Sequence, residues 1–350
     1  MAGHDSGRWL VRIPSPTPDF GSGSLDTGQS WPRWRPPVTL GHEMGHMGGP
    51  RGEPCPRNLF EVGERRPESY PRVMADLEVT PLTTVLGAEV SGVSLSPELD
   101  ADSVKALRQA LLRHKVLFVR DQSLSPSALT DLARLFGEPT EAHPVEPSVE
   151  GHPEVLALDS DEGARADIWH SDLTFQDRPP MGALLHAKVV PAVGGDTIWA
   201  DMSATYEALS PTLRRFLDGL TATHSPSKAG GYFSQRDPEG DKSSRTAAAE
   251  PTHHPVVRVH PETGTRSVFV NPLFTDKIDG LRRGESDALL EVIQRLAIAP
   301  ERLVRWHWRE GDLAFWDNRC TMHYALLEFS GPRRMNRVAL HGESPVGVGA

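Results

Sequence analysis

A histidine and an aspartate two residues apart, in Trp169-His170-Ser171-Asp172, place the tightest constraint on how this chain can fold. In extended backbone, residues two apart point to the same face. One short strand end can therefore aim an imidazole and a carboxylate at the same ion. Two such ligands leave a metal site incomplete, so a third must come from elsewhere. The best candidate is His323, in Phe315-Trp316-Asp317-Asn318-Arg319-Cys320-Thr321-Met322-His323-Tyr324, 153 residues after His170. A closed fold is needed to bring the two together. His-x-Asp alone is a weak signal, and the rest of the chain has to support it.

The pattern from Leu77 onward does. Leu77–Val79 and Ala88–Val90 read as strands. Ala101–Arg113 reads as an amphipathic helix with Val104, Leu107, Leu111 and Leu112 as its apolar stripe, capped by Asp100 or Asp102. Val116–Val119 is a short continuous apolar run, the mark of a buried strand. Ser125 caps a second helix with Pro126 at its first position, and Gly137 ends it. Strands are expected at Val155–Leu158, Ala183–Val190 and Thr197–Ala200, and helices at Met202–Leu209, Pro211–Leu220 and Glu285–Ala297. Residues 225–252 are polar and long enough for a lid. A hairpin is expected over 254–270, and closing strands at Leu303–Arg309, Leu313–Trp316 and Arg337–His341. Many short strands with turn signals predict a mainly β fold with flanking helices: a double-stranded β-helix barrel of the jelly-roll or cupin type.

Residues 1–73 read differently. They hold 11 Pro, 11 Gly and nine Arg with no Lys and no sustained apolar period, so a disordered leader is expected, with residues 74–350 as the folded domain and Met74 as a candidate working start. The leader contains His42-Glu43-Met44-Gly45-His46, which fits the zinc-protease pattern. That chemistry needs a helix, and Gly41, Gly45, Gly48, Gly49 and Pro50 oppose one. The extended pattern wants His at position 52, where Gly stands.

Net charge of −10 argues against broad nucleic-acid or anionic-membrane binding. No run of 18 apolar residues predicts a membrane span, and no signal-peptide core opens the chain. Two cysteines, Cys55 and Cys320, do not make a disulfide framework, so a cytoplasmic protein with reduced thiols is expected. Assembly into a homo-oligomer is left open.

Two His and one carboxylate on one face of an ion is the arrangement of non-haem Fe(II) oxygenases. Gly194-Gly195-Asp196-Thr197-Ile198-Trp199-Ala200-Asp201 follows the His-x-Asp, and Arg333 and Arg337 follow His323. In order and spacing, from about Met74 to the C-terminus, these motifs resemble the TauD/TfdA family of Fe(II)- and 2-oxoglutarate-dependent dioxygenases. The resemblance implies His170, Asp172 and His323 as iron ligands, 2-oxoglutarate as cosubstrate and dioxygen as oxidant. It implies that Arg333, with Thr197, clamps the far carboxylate of 2-oxoglutarate, for which an arginine fork is suited. The stretch from His323 is one residue short of the usual spacing, which leaves Arg334 as the alternative clamp. It further implies that His143 and Arg337 meet a small anionic substrate, an alkylsulfonate or alkyl sulfate ester, with release of succinate and CO2.

Two positions depart from the taurine pattern. Ala166 stands where taurine users carry Asn, and Glu146 where they carry Tyr. The alternatives are a biosynthetic hydroxylase of a specialised metabolite and an inert cupin-like binding protein. Trp169, Phe175, Trp199 and Trp316 are expected as core packing beside the metal rather than as a substrate cage. Cys320, at an odd offset from His323, is expected to pack on the opposite face.

Overall fold

The structure, a computed structural model, describes residues 77–349 except 142, 144, 145, 163–165 and 230–249. The leader, its His-Glu-x-x-His pattern and most of the expected lid lie outside the described residues.

The strands of the first half are β1 (Glu78–Pro81), β2 (Ala88–Ser91), β3 (Val116–Val119), β4 (Ser148–Val149), β5 (His152–Asp159), β6 (Gly182–Val189), β7 (Thr197–Asp201) and β8 (Thr221–His224). Those of the second half are β9 (Thr252–Pro255), β10 (Val257–Val259), β11 (Arg266–Val268), β12 (Thr275–Ile278), β13 (Leu303–Trp306), β14 (Leu313–Asp317), β15 (Thr321–Ala325), β16 (Arg334–Leu340) and β17 (Val346–Gly347). The helices are α1 (Ala101–His114), α2 (Pro126–Arg134), α3 (Met202–Ala208), α4 (Pro211–Leu217) and α5 (Arg283–Ala297). Asp100 caps α1 by accepting from the Ser103 N–H, and Ser125 caps α2 through the Ala128 N–H. Helix α2 stops at Arg134, three residues before Gly137.

Eight strands form one sheet in the order β1-β2-β3-β14-β6-β16-β5-β4. Strand parity then decides what each face meets. Leu117, Val119, Leu184, Phe315, Val338 and Leu340 pack against α1 and α2 through Leu107, Leu111, Leu129 and Leu132. The alternate residues Val116, Phe118, Ala183, Leu185, Ala314 and Trp316 pack on Trp199, Val304 and Trp306 of the small sheet β13-β7-β15. Both faces are covered, which is why β3 reads as an unbroken apolar run. Each large side chain enclosed this way contributes about 1.5–3 kcal/mol. The outer face of the small sheet, Ala200 and Met322, packs with Tyr206 of α3 and Ile293 of α5.

Among the described residues these sheets are open, with no hydrogen-bonded ring closing them into a barrel. They face each other through side chains, and His170 joins His323 by an isolated antiparallel bridge. The stretch expected as one hairpin strand divides at Val256: β9 pairs with β8, whereas β10 pairs with β11. Strands β8 and β12 escaped the sequence reading because their enclosed positions are partly polar, as at Thr223, His224 and Thr275. No described helix is long and apolar enough to cross a membrane.

Candidate metal centre and cosubstrate cavity

The bridge between His170 and His323 is what shortens 153 residues of sequence to contact distance. The His170 N–H donates to the His323 carbonyl at 3.1 Å, and the His323 N–H returns to the His170 carbonyl at 2.7 Å. Their ring centroids lie 4.2 Å apart. Asp172 completes the group: its Oδ1 lies 3.7 Å from Nε2 of His170 and 3.7 Å from Nε2 of His323. All three ligand atoms fall within 4.8 Å of one another and all three residues are buried.

The protonation of the group suits a cation. His170 Nδ1 lies 2.6 Å from the Ile168 carbonyl, so it carries the proton and leaves the Nε2 lone pair facing Asp172. Burial pushes His323 well below the ordinary histidine range, so it is neutral. For Asp172, burial alone would raise the carboxyl, but the Arg337 guanidinium outweighs it and holds it below the usual range. Arg337 Nη2 lies 2.6 Å from Asp172 Oδ2 as an ion pair, without the alignment of a hydrogen bond. Two imidazoles and one carboxylate aimed at one point fit a divalent iron. Trp316 and Trp199 pack beside His323, with ring centroids 5.0 and 6.5 Å from it, and also line the cavity. Trp169 and Phe175 lie outside the lining.

The three residues open into a cavity of about 950 Å³, counted to its solvent mouth. Arg333, Thr197, His143 and Arg337 line it too, as do Glu146 and Ala166. Strand parity puts Arg337 of β16 on the same face as Met335 and Ala339, toward the small sheet. Arg333 donates from Nε to the Gly195 carbonyl at 3.0 Å and from Nη2 to Thr197 Oγ1 at 3.4 Å. Burial lowers its guanidinium to about 10, which leaves it charged at neutral pH. Arg334 instead is half exposed and pairs with Asp159 and Asp161 at 2.7 and 3.2 Å. Of the two arginines, Arg333 lines the cavity, whereas Arg334 is turned to the surface carboxylates.

Glycine is required beside Arg333. A Cβ on Gly194, at φ +82°, would sit 2.1 Å from the Glu328 carbonyl oxygen. A Cβ on Gly195, at φ +71°, would press on Pro191 and on Arg333 Cδ. Sequence reasoning missed Trp308, whose Nε1–H donates to Thr197 Oγ1 at 3.0 Å. With Arg333 and Trp308 both donating to it, the Thr197 hydroxyl has its own proton for an anionic acceptor. Asn318 was also missed, although it stands inside the motif around His323. The only sign in the sequence was its place beside Asp317.

A second group, His260, Asp317 and Cys320, is equally compact and buried. It does not suit a metal. His260 Nδ1 accepts from the Glu262 and Thr263 N–H groups at 3.2 Å, so Nε2 carries the proton and donates to Asp317 Oδ2 at 2.9 Å. Arg319 occupies the same carboxylate from Nε at 2.9 Å and Nη2 at 2.7 Å. Burial, then the charge of Asp317, raise the Cys320 thiol well above its ordinary value, so it stays neutral. Cys320 is thus packing, on the far side of the turn from His323.

The donor set around Asp172 is one that mononuclear non-haem metal oxygenases use. Comparison with known proteins narrows the class. The family model for the taurine catabolism dioxygenase TauD, TfdA family matches residues 78–339. The alpha-ketoglutarate-dependent sulfate ester dioxygenase of Pseudomonas putida is 43% identical over 281 residues, spanning 78% of this chain and 92% of that protein. The alkylsulfatase of Acinetobacter baylyi is 39% identical over 278 residues, 78% of this chain and 87% of its own. A crystal structure of a taurine dioxygenase from Burkholderia xenovorans matches with TM-score 0.68 and 38% identity over 78% of this chain and 92% of that one. The chain belongs to the TauD/TfdA family and is an alpha-ketoglutarate-dependent dioxygenase.

Proposed function

We propose that this enzyme uses Fe(II), dioxygen and 2-oxoglutarate to oxidise a small organic anion, an alkyl sulfate ester before an alkylsulfonate, with release of succinate and CO2. His170, Asp172 and His323 would hold the iron, which supplies oxygen activation and hydrogen abstraction. Arg333 and Thr197 would fix the far carboxylate of 2-oxoglutarate, one by charge and the other by its free hydroxyl proton. Arg337 and His143 would receive the anionic head of the substrate. Leu158, Leu185, Leu273, Phe274 and Phe329 line the same cavity and suit a hydrocarbon chain. Ala166, in place of the taurine-type Asn, leaves that side apolar. Hydroxylation at the carbon bearing the sulfate oxygen gives a hemiacetal-like product, which collapses to an aldehyde and free sulfate. The relatives' names, sulfate ester dioxygenase and alkylsulfatase, point the same way.

We read the two facing sheets as a double-stranded β-helix, residues 74–350 as the working domain, and the cytoplasm as the compartment that keeps the iron reduced. The observation that carries the functional reading is that Arg333 and Thr197 line the same cavity as the His170–Asp172–His323 group. Anaerobic titration with Fe(II) and then 2-oxoglutarate tests it. A weak visible charge-transfer band is expected only with both present, followed by succinate release coupled to alkyl sulfate. A folded protein that retains iron but shows no band would refute the clamp. Coupling to taurine in preference to alkyl sulfates would refute the substrate.

A further inference from the structure

Asp172 has no room for error. Its Oδ1 must face two imidazoles while Oδ2 faces Arg337, and the backbone that carries it is unusual. The next residue, Leu173, has φ +46°, a left-handed conformation that costs a branched side chain on the order of 1–3 kcal/mol. Something must hold the chain there, and the side chain of Asn318 is bonded to both peptide groups of Asp172. The Asp172 N–H donates to Asn318 Oδ1 at 2.7 Å. Asn318 Nδ2 returns to the Asp172 carbonyl at 3.2 Å and to the Pro180 carbonyl at 2.9 Å. Every hydrogen of that amide is used, the residue is 1% exposed, and its own N–H is fixed on the Met181 carbonyl at 2.9 Å. Beyond Leu173, Thr174 Oγ1 is held by His224 Nδ1 and Asn271 Nδ2, each at 2.9 Å. The strained residue is therefore gripped on both sides.

The geometry assigns Asn318 as the positioning residue of the metal site: its amide fixes the rotation of the Asp172 main chain, and so the direction of the carboxylate. This rests on the reading of His170, Asp172 and His323 as the metal ligands. Asn318 touches no ligand atom and acts only through Asp172. It stands in the turn joining β14 to β15, so the strand that delivers His323 and the amide that aims Asp172 are set by one short segment. Groups that orient a ligand in this way are typically worth 10–100-fold in metal affinity.

The test uses the full-length protein, freed of metal and titrated with Co(II), with the thermal midpoint of the metal-free protein measured alongside. Asn318→Ala is expected to raise the Co(II) dissociation constant about 10–100-fold and to alter the visible Co(II) spectrum. Asn318→Asp keeps the shape and one acceptor but cannot donate to the two carbonyls. It is expected to lose affinity similarly and serves if the alanine variant does not fold. Arg319→Gln, in the same turn but with no bond to Asp172, is expected to lower the thermal midpoint and leave Co(II) affinity within about threefold. Wild-type affinity in Asn318→Asp, or equal losses in Arg319→Gln and the Asn318 variants, would overturn the assignment. Wild-type protein that takes up no Co(II) would overturn the metal reading itself, and the assignment with it.

Discussion

On one side of the turn between β14 and β15, Asp172 faces two imidazole Nε2 atoms at 3.7 Å and bonds to neither. On the other side, Asp317 accepts from His260 Nε2, Arg319 Nε, Arg319 Nη2 and the Arg319 N–H. Both groups are buried, compact and built from His and Asp. They differ in what has already been spent. The Asp317 carboxylate is saturated by donors, and its histidine points a proton at it. The Asp172 Oδ1 meets two imidazole Nε2 atoms at 3.7 Å, too far for hydrogen bonds and spaced as a shared cation would need. Both groups centre on a buried aspartate beside histidine, but the donors around that aspartate separate a structural knot from a candidate ligand set.

The largest expected effect breaks each side in turn. Asp172→Ala should abolish metal uptake and reduce turnover to background, since it removes the only anionic ligand. Asp317→Ala should strip the buried Arg319 guanidinium of the nearer of its two carboxylates, leaving Glu262 at 2.9 Å, at a cost of about 3 kcal/mol, read as a lower midpoint in thermal or urea unfolding. At a temperature where it is still folded, it should bind one metal per chain. Loss of metal from folded Asp317→Ala would erase the distinction.

The two neighbouring arginines repeat the contrast at the cosubstrate. If Arg333 is the proposed clamp, Arg333→Ala should weaken 2-oxoglutarate binding about 100-fold. Arg334→Ala removes an exposed ion pair with Asp159 and should change it less than twofold. Calorimetric titration of the metal-loaded protein separates them. A large effect at Arg334 would move the clamp by one residue.

Much of this site was legible in the sequence, because function writes its own periodicity. His170 and Asp172 at i and i+2, the Gly194-Gly195 turn and the Arg333/Arg337 spacing all survive as local pattern. The continuous run of β3 likewise announced a strand covered on both faces. What was not legible depends on partners far away in sequence. Strand β8 hides because its enclosed residues include Thr223 and His224, polar where an ordinary strand would be apolar. Asn318 could be read as a turn residue, but its bonds to Asp172 cross 146 positions. Which of Arg333 and Arg334 lines the cavity depends on the side of the β16 edge each one leaves, which spacing alone does not fix.

Acid should sharpen the difference between the cavity side and the rest. Burial, then the neighbouring His254, push His224 from 6.5 down to about 3, and it is fully buried beside Thr174. The unfolded chain takes up this proton first, so the stability is fully present above pH 6.5 and is lost as pH falls toward 3. At pH 5 the loss from His224 is about 2 kcal/mol. His186, His254 and His323 are also lowered and act in the same sense. Urea midpoints at pH 7 and pH 5 should therefore differ less in His224→Gln than in wild type. Equal slopes would show that His224 is charged in the folded protein.

The smallest expected effect falls on Cys320. Its thiol is buried, neutral and 3.9 Å from the Asp317 carbonyl, which makes it filling rather than chemistry. Cys320→Ala should cost about 1 kcal/mol for the lost volume and leave metal stoichiometry untouched. The Co(II) form offers a sharper reading than stoichiometry, because a thiolate ligand gives an intense near-ultraviolet charge-transfer band. Wild type and Cys320→Ala should both lack it. A band present in wild type and absent in the variant would mean that the Asp317 side gives up its protons to a metal after all, and that hydrogen-bond saturation is a weaker barrier to metal binding than the contrast between the two clusters implies.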